Sequence, residues 1–225
     1  MGIDEEDDKK AAGVLNDLVP TPDIKKISEV LKGRDCVVLG AGPSLEEDLD
    51  KLRRARYLDK VLVAVDGATT AVLKYKVPNV IVTDFDGNVQ HQLKAWRQGA
   101  WLVVHAHGDN IPQLKRIVPQ LNERVIGTTQ VKPFGKLFNF GGFTDGDRAA
   151  FMAHEVGATK IYLAGMDLGS KIGKYSGSKN MDRTLVKLRF CREMLTWLSS
   201  DLGARMINLT SHGEQIPRIP QMVLP

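Results

Sequence analysis

Val61-Leu62-Val63-Ala64-Val65-Asp66 and Val80-Ile81-Val82-Thr83-Asp84 are two short apolar runs rich in β-branched residues, and each closes on an aspartate. Two further runs end in a similar way. Trp101-Leu102-Val103-Val104 leads through His105 and His107 to Asp109, and Ile161-Tyr162-Leu163-Ala164-Gly165-Met166 closes on Asp167. Apolar runs of this length without alternation are strands buried on both faces. Separated by helical sequence, they predict a parallel sheet, and ligands bind such sheets at the carboxyl edge. Carboxylates gathered on that edge repel one another by roughly 3 kcal/mol per pair at ~5 Å and an effective dielectric of ~20. A bound cation or a shared proton relieves the repulsion, so a divalent-metal site is expected there.

The same alternation extends along the chain. Strands are expected at 35–39, 60–65, 79–83, 100–105, 124–127, 160–165 and 205–209, with helices at 44–56, 68–75, 88–97, 111–121, 145–156 and 182–202. The fold class is therefore α/β: a Rossmann-like, mainly parallel sheet with helices on both faces. A helical extension is expected over 1–31, ahead of the α/β domain at 32–211. Residues 1–12 are expected to fray, and 14–31 to form helical arms broken by Pro20 and Pro22. The tail from 212 to 225 carries Pro217, Pro220 and Pro225, which suit neither a helix nor a central strand. It is expected to wrap the domain or to meet a partner subunit in a homo-oligomer. Residues 168–181 combine Gly169, Gly173 and Gly177 with Lys171, Lys174 and Lys179. A flap closing cations over phosphates and a solvated linker fit that composition equally.

Composition narrows the partners. With 43% hydrophobic and 26% charged residues, the 225-residue chain is that of an ordinary globular protein. No apolar run approaches the ~20 residues that cross a bilayer, and the charged start MGIDEEDDKK is not a secretory signal. No membrane association is expected. Cys36 and Cys191 belong to no Cys-x-x-Cys pair, which points to inert core thiols in a reducing, cytoplasmic compartment. The net charge of +4 suits an anionic ligand, but aromatics are only 6% of the chain. That is too few for the stacking platforms of nucleic-acid binding, so a small phosphorylated ligand is the better match.

Four motifs can carry chemistry. Gly40-Ala41-Gly42-Pro43-Ser44 follows a strand and opens a helix, where backbone N–H groups can meet phosphate; Ser44 and Glu47 have capping-box spacing. A merely tight turn is the alternative. In Thr83-Asp84-Phe85-Asp86-Gly87-Asn88, an extended backbone would point Asp84 and Asp86 the same way and offer oxygen ligands to Mg²⁺. His105-Ala106-His107-Gly108-Asp109 resembles the start of a zinc-hydrolase motif, but Asn110 stands where that motif continues with histidine. In Phe140-Gly141-Gly142-Phe143-Thr144-Asp145-Gly146-Asp147-Arg148, Thr144 reads as an N-cap, and the glycines and phenylalanines suit either a slot for a heteroaromatic ring or a hairpin corner. Lys179, Arg183, Lys187 and Arg189 supply cations downstream.

Taken together, VVLGAGPSLEEDL, VAVDGATTAVL, VTDFDGN, HAHGDN, GFTDGDRAAFMAHEVGA and LAGMDLGSKIGKYS resemble the archaeal 6-hydroxymethyl-7,8-dihydropterin pyrophosphokinases, a family formerly of unknown function and remotely like thiamin pyrophosphokinase. The resemblance implies Mg²⁺-dependent transfer of diphosphate from ATP to the pterin hydroxymethyl group, in methanopterin or folate synthesis. It implies Asp84, Asp86 and Asp109 as catalytic and metal-binding residues, with Asp66 on the metal or the pterin. Gly40, Gly42, Pro43, Ser44, Asn110 and Lys187 would contact the nucleotide. Asp66, Gly67, His107, Phe143, Thr144, Asp145 and Asp167 would contact the substrate. A related domain in flagellin-modifying glycosyltransferases makes a nucleotide-sugar enzyme the nearest alternative, ahead of a zinc hydrolase built on His105, His107 and Asp109.

Overall fold

The structure, a computed structural model, describes residues 5–177 and 181–225. In chain order the elements are α1 (Glu5–Leu18), α2 (Ile24–Leu31), β1 (Asp35–Leu39), α3 (Leu45–Arg54), β2 (Val61–Val65), α4 (Ala68–Val72), β3 (Val80–Thr83) and α5 (Val89–Arg97). There follow β4 (Trp101–Ala106), α6 (Ile111–Ile117), β5 (Val125–Thr129), β6 (Leu137–Phe138), α7 (Asp145–Glu155), β7 (Lys160–Ala164), α8 (Met181–Ser200) and β8 (Met206–Asn208). The strands form one eight-stranded sheet in the order β6-β5-β4-β3-β2-β1-β7-β8. All the pairings are parallel. The chain walks outward from β1 to β6, then returns to lay β7 and β8 on the other side of β1.

Strand alternation sorts the core into two layers. Val37, Leu39, Leu62, Ala64, Ile81, Leu102 and Val104 face the layer that takes Leu49 and Leu52 of α3 and Leu93 of α5. Cys36, Val38, Val61, Val63, Val80, Val82 and Val103 face the opposite layer, with Ile27 of α2, Ala149 and Met152 of α7, and Leu195 of α8. Burial pushes the Cys36 thiol up to about 12, so it packs as a small hydrophobe.

Two expectations are corrected, and one strand was not foreseen. Residues 1–12 do not fray throughout: α1 begins at Glu5, and Ala11, Ala12 and Leu15 are fully buried in the first core layer. The helix expected over 111–121 ends at Ile117, and a 3-10 turn over Val118–Gln120 carries Pro119, which lacks an N–H for the helical ladder. The two-residue strand β6 was too short to show a period. The tail wraps the domain, burying Ile216, Ile219 and Leu224. It hydrogen-bonds to the end of β8, where the Asn208 N–H donates to Pro220 O and the Met222 N–H to Asn208 O, each at 2.8 Å. Among the described residues, no helix is long and apolar enough to cross a membrane.

Candidate active site

The carboxyl ends of β2 and β3 build an acidic cluster. Asp66, Asp84 and Asp86 each place one carboxylate oxygen within 4.8 Å of the others. Backbone torsion aims them. Asp66 sits at φ 37 and Phe85 at φ 68, both in the left-handed region that non-glycine residues avoid. Asp84 and Asp86 therefore converge through a turn at Phe85 and not through the extended backbone expected, and the Asp86 N–H donates back to Asp84 Oδ1 at 3.1 Å. Gly87 is required here, because a Cβ would lie 2.4 Å from Asp66 Oδ2 and 2.9 Å from Gly67 N.

Asp66 Oδ1 is held from below. It accepts from Thr83 Oγ1 at 2.5 Å and from Gln92 Nε2 at 2.8 Å. Thr83 Oγ1 in turn accepts the Phe85 N–H at 2.8 Å. Enclosure by protein raises the Asp66 carboxyl well above its ordinary range, and repulsion from Asp86, Asp84 and Asp145 adds to the shift. Asp84 is raised by enclosure and by Asp86, against the Asp86 N–H, Lys187 and His107. Asp145, the first residue of α7, is raised well above its ordinary range by enclosure and by Asp84, with Arg148 opposing. It was expected among substrate contacts and belongs electrostatically to the acidic cluster.

Asp109 lies apart. It is exposed, 3.8 Å from Arg183 and 3.6 Å from His107 Nδ1, and it is not in the three-carboxylate group. The reason is local: Gly108–Asn110 forms a 3-10 turn that carries Asp109 outward. Asn110 braces this turn. Its Nδ2 donates to Asp84 O and to His105 O, each at 2.8 Å, and its Oδ1 accepts the His107 N–H at 3.0 Å, so both amide protons are engaged within the protein. His107 is half-buried beside Asp8 of α1, 4.0 Å away, and Asp8 Oδ1 accepts the Gly108 N–H at 2.9 Å.

The zinc alternative does not fit this geometry. His105 is buried with both ring nitrogens engaged, Nδ1 with Thr128 Oγ1 at 3.1 Å and Nε2 with Arg148 Nη2 at 3.0 Å. A guanidinium only donates, so Nε2 accepts and Nδ1 carries the proton. Enclosure and the Arg148 charge hold this imidazole well below its usual range. No lone pair is left for a metal.

The glycine loop after β1 also differs from expectation. The Gly40 N–H donates to Ala164 O at 2.9 Å, the Gly42 N–H to Gly165 O at 2.8 Å, and the Ser44 N–H to Asp167 Oδ2 at 3.3 Å. Ser44 makes no capping box; its hydroxyl donates to Asp48 Oδ2 at 2.9 Å and lies 3.0 Å from Asp167 Oδ2. These amides, expected to cradle phosphate, are turned to the loop after β7. A Cβ on Gly42 would lie 2.0 Å from Asp167 Oδ2 and 2.5 Å from Gly165 O, so the glycine serves close packing of two loops. Pro43 sits exposed beside them. Asp167, expected against substrate, is buried under Ser44, and enclosure raises its carboxyl against the Ser44 hydrogen bonds.

Residues 168–177 lie across both loops. A Cβ on Gly173 would meet Ala41 O at 1.9 Å, one on Gly67 would meet Tyr175 O at 1.8 Å, and one on Gly177 would meet Asp86 O at 2.8 Å. Lys174 and Tyr175 clasp Glu46, with Tyr175 Oη donating at 2.6 Å and Lys74 completing the group at 2.9 Å. These hydrogen bonds, the Lys174 one foremost, bring Glu46 down to about 2. The flap expectation for Lys179 falls outside the described residues. Lys187 of α8 faces Asp84 and Asp145 closely enough to favour their charged forms. The Phe143 ring packs 5.1 Å from Phe190. Thr144 begins α7 as the expected N-cap, in a capping box where Asp147 Oδ1 accepts the Thr144 N–H at 2.7 Å. Sequence reasoning missed Thr83, Gln92 and Asp8, because threonine, glutamine and a surface-like aspartate carry no spacing signal.

Known proteins are similar over most of this length. Residues 13–173 match the family model described as 6-hydroxymethylpterin diphosphokinase MptE-like. The 6-hydroxymethyl-7,8-dihydropterin pyrophosphokinase of Pyrococcus furiosus is 42% identical over 220 residues, 93% of each chain. That of Methanothermobacter thermautotrophicus is 42% identical over 218 residues, 92% of each chain. A third, from Methanocaldococcus jannaschii, is 39% identical, covering 78% of this chain and 77% of its own. Among solved structures, the MAf glycosyltransferase from Magnetospirillum magneticum AMB-1 aligns with TM-score 0.63 at 13% identity, over 99% of this chain and 39% of that one. At that identity the likeness is one of fold alone. With its α/β sheet, the ordered motifs along it and identity above 40% to full-length relatives, the chain belongs to the MptE-like 6-hydroxymethylpterin diphosphokinase family.

Proposed function

We propose that the protein transfers diphosphate from ATP to the hydroxymethyl oxygen of 6-hydroxymethyl-7,8-dihydropterin, with Mg²⁺ held by Asp66, Asp84 and Asp86. The observation that carries the metal assignment is the convergence of three carboxylate oxygens within 4.8 Å on strained backbone. Such a group is costly without a cation. The donors are oxygens only, with no thiolate or available imidazole among them, which suits a hard ion such as Mg²⁺. The relatives' names supply the substrate class.

The hydroxymethyl oxygen attacks the β-phosphorus, the bond from β-phosphorus to the α,β-bridging oxygen breaks, and AMP leaves with that electron pair. Bound metal would neutralise charge on the phosphates, the chief demand of such transfers. Asp84, half-buried in the cluster, is proposed to take the alcohol proton. Asp109 is paired at the rim with Arg183 and His107 and is the weaker candidate. Lys187 and Lys171 are proposed to meet the phosphates in place of the engaged amides of Gly40, Gly42 and Ser44, since Lys174 is committed to Glu46. His107, Phe143 and Thr144 are proposed to contact the pterin; Gly67 is covered by Tyr175, and Asn110 acts as a brace. The test is incubation with ATP, Mg²⁺ and hydroxymethyl-dihydropterin, followed by chromatography. AMP and a diphosphorylated pterin are expected in equal amounts; ADP, or no pterin-dependent AMP, overturns the proposal.

A further inference from the structure

The geometry points to Gln92 and Thr83 as positioning residues that fix Asp66 for metal binding, an inference that rests on the metal assignment above. Gln92 lies on α5, and Thr83 ends β3; both are fully buried. A buried carboxamide is costly unless its polar atoms are satisfied, and buried glutamine usually satisfies them on the backbone. Here Nε2 donates to Asp66 Oδ1 at 2.8 Å, and Oε1 lies 3.1 Å from the Thr83 hydroxyl, whose single proton goes to the nearer Asp66 Oδ1. The amide is thus aimed at the acidic cluster.

The consequence is directional. Two contacts on Oδ1 leave Asp66 Oδ2 as the oxygen that faces the Gly87 turn carrying Asp86. Thr83 also accepts the Phe85 N–H, so one hydroxyl ties Asp66 to the left-handed residue between Asp84 and Asp86. The Thr83–Gln92 pair thus orients Asp66 directly and ties it to the backbone between Asp84 and Asp86. A residue that orients a metal ligand in this way typically changes metal affinity by about 10–100-fold when replaced.

The test uses the full-length protein and Mn²⁺ alone, titrated by electron paramagnetic resonance, with melting temperature measured alongside. Gln92→Leu and the isosteric Thr83→Val are expected to weaken Mn²⁺ binding on the order of 10–100-fold. Thr83→Ser, which keeps the hydroxyl, is expected to retain it. Folded Gln92→Leu and Thr83→Val proteins with wild-type Mn²⁺ affinity, whatever their melting temperatures, overturn the inference while leaving the metal site standing. Should Gln92→Leu fail to fold, the Thr83→Val and Thr83→Ser pair decides. A wild-type protein that binds no Mn²⁺, or binds it equally well with Asp84→Asn, removes the metal assignment itself.

Discussion

Asp84→Asn is expected to abolish turnover and yet stabilise the metal-free protein. The substitution is isosteric, and Asn Oδ1 can still accept the Asp86 N–H that Asp84 Oδ1 accepts at 3.1 Å. What it removes is charge. At 4.8 Å and an effective dielectric of ~20, a fully charged carboxylate pair costs about 3 kcal/mol, and Asp84 takes part in two pairs. Solvent screening at exposed Asp86 and proton uptake at Asp66 reduce the relief to about 1–2 kcal/mol at neutral pH. For a chain of this size that is a rise of about 2–8 °C in melting temperature. The assay is calorimetry in chelator, beside AMP release in Mg²⁺. The pH dependence carries the same sign. Asp66, Asp84 and Asp145 are raised in the folded state, so the folded protein binds more protons than the unfolded chain. Their stabilisation is present below the unfolded carboxylate range and is lost as pH rises through the raised values. Metal-free wild type should thus lose stability from acidic toward neutral pH, and Asp84→Asn should lose less. A melting temperature in chelator below that of wild type at neutral pH would refute mutual repulsion as the governing term.

Two further outcomes probe the frame around the site. Gly42→Ala places a Cβ 2.0 Å from Asp167 Oδ2 and 2.5 Å from a backbone carbonyl, and should destabilise by about 1–3 kcal/mol in urea unfolding; wild-type stability would mean that the β1 and β7 loops are not packed as described. Asp8→Ala removes the charged acceptor of the Gly108 N–H and should cost about 1.5–3 kcal/mol, with a raised KM from loosening of the His107 loop; unchanged stability and KM would make α1 incidental to the site.

The relation of the α1 helix to the site shows where sequence reasoning loses force. Its charged start looks like a frayed end, since four acids and two lysines outnumber the apolar residues around Ala11 and Leu15. Only docking on α6 and β5 turns Asp8 inward. The glycine loop teaches the converse. Gly40-Ala41-Gly42 is legible as a close approach of backbone, but a local pattern cannot say whether a phosphate or a neighbouring carbonyl makes that approach. Here Gly165 O and Asp167 do.

The chain's own residues determined the layering, because unbroken apolar runs such as Val61–Val65 can be buried only between two helical layers, and the aspartates that end them must then share one edge. Tertiary structure alone decided which aspartates meet. Asp66, Asp84 and Asp86 converge through the left-handed torsions at Asp66 and Phe85, while the turn after His107 carries Asp109 outward and Ser44 claims Asp167. Side-chain direction depends on torsions and on partners distant in sequence, such as Gln92 beneath Asp66, and neither is written in the spacing of residue types.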